Sequence, residues 1–194
     1  MALVMILIGI TTAGISNASH HARKTSREIV RAHLQQARAH AISSRNLTAI
    51  VIPAGGPTGL RAISMIEVEK VDVRYVPLKN EIGETGLLQS WTKLPKNFHF
   101  VSEEMIHTGQ FTVLDQGATM TIRDRGRELE CHMLVFAPHG HIIFPKSGEP
   151  IHIAMAQAAG RPDTLRISQI SEGKPVFDLF QVNRLTAKAQ IISP

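Results

Sequence analysis

The hydrophobic pattern of this chain changes period near residue 47. Ahead of that point, apolar positions first cover every face of a would-be helix and then narrow to one stripe. From Met1 to Ser19 there is no charged residue, and Leu3, Val4, Ile6, Leu7, Ile8 and Ile10 leave no polar face. The next stretch, "HARKTSREIVRAHLQQARAHAISSRN", has neither proline nor glycine to interrupt a helix. Within it Val30, Leu34, Ala37 and Ala41 recur at spacings of four, three and four, forming one apolar stripe. Arg23, Arg27, Arg31, Arg38 and Arg45 fall on a neighbouring face, and Ala32, Ala39 and Ile42 on the far side. Ser43, Ser44 and Asn46 end the pattern. One long helix to about residue 45 is the simplest expectation, its first half in lipid and its second half against a globular domain.

The apolar opening is short for a membrane. A helix over residues 1–16 is roughly 24 Å long at 1.5 Å per residue, against a hydrocarbon core of about 30 Å that needs ~20 apolar residues. Three readings stay open. The segment is a spanning helix whose first turn and leader lie outside this chain, a signal peptide without its basic n-region, or a buried core helix.

Beyond Leu47 the runs are short and rich in β-branched and aromatic residues: "TAIVIP", "AISMIEVEKVDVRYVP", "FHFVS", "QFTVL", "ATMTIR", "CHMLVFAP", "HIIFP", "PIHIAMAQ", "TLRISQI", "PVFDLFQV" and "KAQIIS". Turn residues separate them, as in "AGGPTG", "DRG", "PHG", "KSGEP" and "EGKP". In "VFAPHGHIIF", Pro138 presets the first turn position, and Gly140 can take the left-handed one that closes a three-residue hairpin. The longest irregular stretch, "NEIGETGLLQSWTKLPKN", leaves room for a helical turn at Leu87–Trp91. The expected class is α+β: a long N-terminal helix, part membrane and part amphipathic, packed on an antiparallel β-sheet or sandwich domain.

Charge sharpens this division. The chain has a formal charge of +5, and six basic residues against the single acid Glu28 lie ahead of residue 47. The remainder carries 15 of each sign, so the surplus sits on the helix. Either anionic headgroups or acidic neighbours suit such a stripe, and so does plain solvation. Candidate chemistry adds little. Cys131 is the only cysteine, which excludes an internal disulfide. It adjoins His132, but strand neighbours point to opposite faces. His33 and His40 are too far apart to share a metal, and His139, His141, His132 and His152 lack an assignable third ligand. "AGGPTG" lacks the Lys-Ser/Thr of a phosphate loop. No catalytic residue, cofactor or metal is expected.

The order of these features resembles the type IV pilin superfamily, most closely the H-type minor pseudopilins of type II secretion systems. "LQQARAHAISSRNLTAIVI" resembles their helix end and first strand. "VFAPHGHIIF" resembles their Phe-x-Pro-x-Gly hairpin, at Phe136, Pro138 and Gly140. "FQVNRLTAKAQI" resembles their closing strand, with Ala187 where a glycine often follows the threonine. The family's cleavage motif is absent from this chain. The resemblance implies three parts: residues 1–19 as the transmembrane or filament-core helix, 20–46 as its basic amphipathic continuation, and 47–194 as an antiparallel β domain. It implies a structural, non-enzymatic filament subunit in protein export. Its partners would be other pilin-like subunits through the N-terminal helix, inner-membrane lipid before assembly, and the secretion or pilus assembly machinery. Its place would be a single pass in the bacterial inner membrane with the β domain in the periplasm, although basic residues after the span oppose that orientation. The alternative is a membrane-anchored pilin-like protein of DNA uptake, whose arginines grip nucleic acid with steep salt dependence.

Overall fold

The computed structural model of the protein describes residues 19–56, 58–146 and 150–192. The helix α1 (Ala2–Ser44) is followed by β1 (Leu47–Pro53). It stops where Ser43 and Ser44 turn their hydroxyls back to the His40 carbonyl and Arg45 takes a left-handed φ of 60°. Next come β2 (Ala62–Val71), β3 (Arg74–Pro77), β4 (Thr92–Lys93) and β5 (Phe98–Val101). A one-turn helix α2 (Glu103–Ile106) precedes β6 (Thr119–Asp124), β7 (Arg127–Phe136), β8 (Ile142–Phe144) and β9 (Ile151–Ala159). Short pieces β10 (Arg166–Ile167), β11 (Ile170–Ser171) and β12 (Lys174–Pro175) lead to β13 (Phe177–Val182) and β14 (Ala189–Ile191).

All ladders between these strands are antiparallel. The first sheet has the order β3-β2-β1-β7-β6, with β4 on β2 and β8 on β7. It curls enough to bring its edge strands β3 and β6 against each other. The second has the order β10-β9-β13-β14, with β5 also on β9. Strand alternation sorts the first sheet's side chains into two cores. Ile50, Ile52, Ile63, Met65, Leu134 and Phe136 face α1 and the second sheet's Phe100, Ile153, Met155 and Phe180. Ala49, Val51, Ile66, Val68, Cys131, Met133 and Val135 fill the concave face, closed by Leu87, Trp91 and Phe144.

The amphipathic reading of the helix matches the packing. Val30, Leu34, Ala37 and Ala41 are all fully buried, while Ala32, Ala39 and Ile42 are exposed. Burying Val30 and Leu34 stabilises by about 2 kcal/mol each. The expected hairpin also forms. Gly140 N–H donates to the Ala137 carbonyl at 2.7 Å, and Gly140 has φ +80°. The turn rests directly on the helix, because a Cβ on Gly140 would lie 2.6 Å from Ile42 Cδ1.

Other expectations need correction. The α+β class with a long N-terminal helix is not what the fold shows: it is mostly β, 44% strand against 19% helix, with one helix of 26 described residues. The reason is that the regular structure described after Ser44 is almost all strand, fourteen of them, and the described helix is one element packed on two sheets. The single-pass inner-membrane anchor is also unsupported. Among the described residues no helix is long and apolar enough to cross a membrane. The described helix carries a charge on most turns, from Arg23 and Lys24 through Arg38, and its apolar stripe is already covered by protein. Residues 87–91 form no helical turn; Leu87 bridges Ile66, and β4 follows. "QFTVL" is no strand either: Thr112 makes a lone bridge to His152.

Gly140→Ala is expected to destabilise the fold by about 2–3 kcal/mol, from the left-handed φ and the clash with Ile42 together. Urea denaturation measures it, and adding Ile42→Ala should restore the steric part of the loss.

Candidate assembly face along the helix

The side chains of α1 between residues 19 and 44 sort into three strips. The buried strip adds Ser26 and His33 to the four apolar residues. Ser26 Oγ donates to the Ala22 carbonyl at 2.9 Å, so the hydroxyl enters the core with its hydrogen bond made. His33 Nδ1 lies 2.9 Å from the Ile29 carbonyl, which only accepts, so the proton sits on Nδ1. Burial pushes the His33 pKa down against the opposing effect of that bond. The ring is therefore a neutral core group, with Nε2 buried and unpartnered.

The arginines form the second strip, and here the structure departs from the expected solvent- or lipid-facing stripe. Arg23 and Arg27, one turn apart, both reach Asp178 on β13, each with Nη2 2.6 Å from Oδ1. Their Nε groups donate to the same carboxylate at 2.9 and 3.0 Å, and Arg23 Nη2 also donates to the Phe177 carbonyl at 3.0 Å. Asp178 itself is 1% exposed. Burial alone would push its carboxyl up. The hydrogen bonds and charges of Arg27 and Arg23 outweigh that and hold it below the ordinary carboxylate range. Arg38 Nε donates to the Gly140 carbonyl at 3.1 Å, which ties the hairpin turn to the helix. Arg31 has only a loose 3.6 Å contact with Glu28, both exposed, a pairing worth little. Arg45 is exposed beyond the helix end.

The third strip faces solvent and includes Lys24, Glu28, Ala32, Gln36, Ala39, Ile42 and Ser43. It carries two small apolar residues seven apart and few fixed charges, a surface on which another element can lie closely. Leu3, Val4, Ile6, Leu7, Ile8 and Ile10, expected to pack in membrane or filament, lie outside the described residues.

Two further ties bind the helix to the strands. Gln35 Nε2 donates to the Ala187 carbonyl at 2.9 Å. Ala187 is fully buried with φ 52°, a left-handed backbone that favours glycine. At the helix end His40 contacts Thr48 Oγ1 at 3.2 Å and Glu67 Oε1 at 3.7 Å.

Nucleophile chemistry has no foothold at Cys131. Its thiol is fully buried and pushed up to about 12 by desolvation, with the nearby Glu130 charge adding to it. His139 and His141 stack at 6.0 Å, and among the described residues no group of three His, Cys, Asp or Glu side chains converges on a metal position.

Asp178 has no calcium-loop spacing to Asp115, Asp124 or Asp163 in the sequence, and its pairing with the helix arginines is not legible there. The one signal is an aspartate between Phe177 and Leu179 in a mostly apolar strand run, which needs a cation if that face is buried. Asp178→Ala is expected to cost about 2 kcal/mol. That is less than the ~3–5 kcal/mol of breaking a fully buried pair, because both arginines are about a third exposed and can rehydrate. Because the folded carboxyl titrates below its unfolded value of about 3.9, its contribution is whole above that pH and is lost as pH falls through the folded pKa. Urea midpoints from neutral pH to pH 2 should therefore drop less steeply below pH ~4 in Asp178→Asn than in the parent chain.

No family model matches the chain, and neither a curated protein nor a solved structure matches it.

Proposed function

We propose that this chain is a structural, non-enzymatic subunit of a pilus-like filament, built on the plan of the minor pseudopilins of type II secretion and acting in protein export. The observation that carries the reading is an ordered set of contacts. A helix seats its apolar stripe on strands that begin three residues after it ends. The Phe136–Pro138–Gly140 hairpin then docks on that helix through Arg38 and Ile42. The closing turn returns to it through Ala187 and Gln35. These are the three places where the sequence resembles that family, and all three meet along one helix. Other pilin-like subunits would meet the solvent strip of Ala32 and Ala39, two turns apart on the same side.

The DNA-uptake alternative draws less support. Arg23, Arg27 and Arg38 are engaged inside the chain, and a phosphate backbone would have to pull the first two from Asp178, leaving a buried carboxylate bare.

Single cysteines at Ala32 and Ala39, oxidised in cells, are expected to give covalent species with other pilin-like subunits, identified by mass spectrometry. The native Cys131 is buried and stays silent, and a cysteine at the exposed hairpin residue Val73 serves as the remote control. A chain that stays monomeric at both helix positions, in cells that export normally without it, would defeat the reading.

A further inference from the structure

A second polar centre lies away from the helix arginines. The loop between β1 and β2, described at residues 54–56 and 58–61, closes against the segment that follows β9. A Cβ on Gly59 would fall 2.6 Å from Pro162 Cγ and 2.8 Å from the Gly55 carbonyl carbon. One on Gly160, at φ +121°, would fall 2.6 Å from the Thr164 carbonyl oxygen. Only glycine permits both approaches. Between them is a cavity of about 420 Å³ lined by Gly56, Gly59, Arg61, His99, Arg161 and Asp163, among others. That volume suits a small molecule.

The walls of the cavity are fixed. The Leu94 N–H donates to the Arg61 carbonyl and the Phe100 N–H to the Leu60 carbonyl, both at 2.7 Å, so β5 and its approach brace the loop. Two polar atoms of the wall residues are unspent. Arg61 Nε and His99 Nδ1 are both buried with no hydrogen-bond partner, and His99 is 5% exposed. Buried polar atoms are nearly always satisfied, and a buried guanidinium nitrogen without an acceptor costs more than a neutral one. Two arginines and a histidine face the space, against Asp163 as the one acidic lining residue. Asp163 is exposed, and no ion pair among the described residues joins it to either arginine. Planar guanidinium forks match tetrahedral oxyanions, and glycine-rich backbone lets such a group approach closely.

We propose that this cavity is an oxyanion site that holds a phosphate- or sulfate-class group, with Arg61 as the inner donor, the His99 ring beside it and Arg161 as the outer clamp. It is separate from the helix surface and does not depend on the filament reading.

Calorimetric titration of the full chain with inorganic phosphate, at constant ionic strength, tests it. Saturable one-site binding is expected. Arg61→Gln should weaken it by about tenfold or more, and Arg161→Gln by several-fold. Arg125→Gln, on an exposed turn elsewhere, should leave it unchanged. If Arg61→Gln fails to fold, the exposed Arg161 carries the comparison. Parallel flotation with phosphatidylglycerol and phosphatidylcholine vesicles separates the sources. Binding to the anionic vesicles that phosphate displaces assigns a lipid headgroup, and phosphate binding without vesicle binding assigns a free phosphorylated molecule. No saturable phosphate or sulfate binding, or the same affinity in folded Arg61→Gln and Arg161→Gln, overturns the proposal.

Discussion

Asp178 is the second residue of a mostly apolar strand, and both of its oxygens are taken by guanidinium groups from one helix. Removing a carboxylate from water is expensive, and pairing it with two arginines about offsets that cost rather than exceeding it. The energy that seats the helix comes instead from the stripe of Val30, Leu34, Ala37 and Ala41. What the charged group adds is direction. An apolar stripe alone tolerates small rotations and slides. A carboxylate that must meet Arg23 and Arg27 together tolerates neither. The first sheet is joined to the helix by a two-residue connection, whereas β13 is over 130 residues away in sequence. The Asp178 contact thus sets how the distant second sheet lies on a helix to which it has no short covalent link.

That arrangement gives the helix two unequal sides. One is occupied by both sheets, the hairpin turn at Gly140 and the closing turn at Ala187. The other carries mostly small and polar residues. A surface on one side of a helix keeps its shape when the opposite side is immobilised. The arginines that look available in the sequence serve mainly to immobilise it.

Local features of the fold were legible in the sequence. Val30, Leu34, Ala37 and Ala41 were readable because helical periodicity needs only neighbours within two turns. The Pro138–Gly140 hairpin was readable because its chemistry is contained in three residues. The partner of Arg23 and Arg27 was not, since 155 and 151 residues separate them from Asp178 and no local pattern connects the two. The β2–β3 hairpin was hidden for another reason. Val68, Val71, Val73 and Val76 alternate only in part and mark no turn, yet Asp72 turns left-handed and Val73 is 85% exposed. Leu87 and Trp91 looked like a helical turn because apolar spacing in a short run fits both periods; closing the concave face of the first sheet decided it. The cavity at Arg61, His99 and Arg161 draws on three separate segments, so nothing short of their assembly reveals it.

The curl of the first sheet carries a consequence for how copies of such a domain can meet. Free strand edges invite pairing with another chain by backbone hydrogen bonds, with little regard for side-chain identity. Here the two outer strands, β3 and β6, turn toward each other across a cleft of about 450 Å³ rather than facing outward. Growth by strand addition is thereby disfavoured on that sheet. Any contact made through that sheet would fall to side chains, which can tell one neighbour from another.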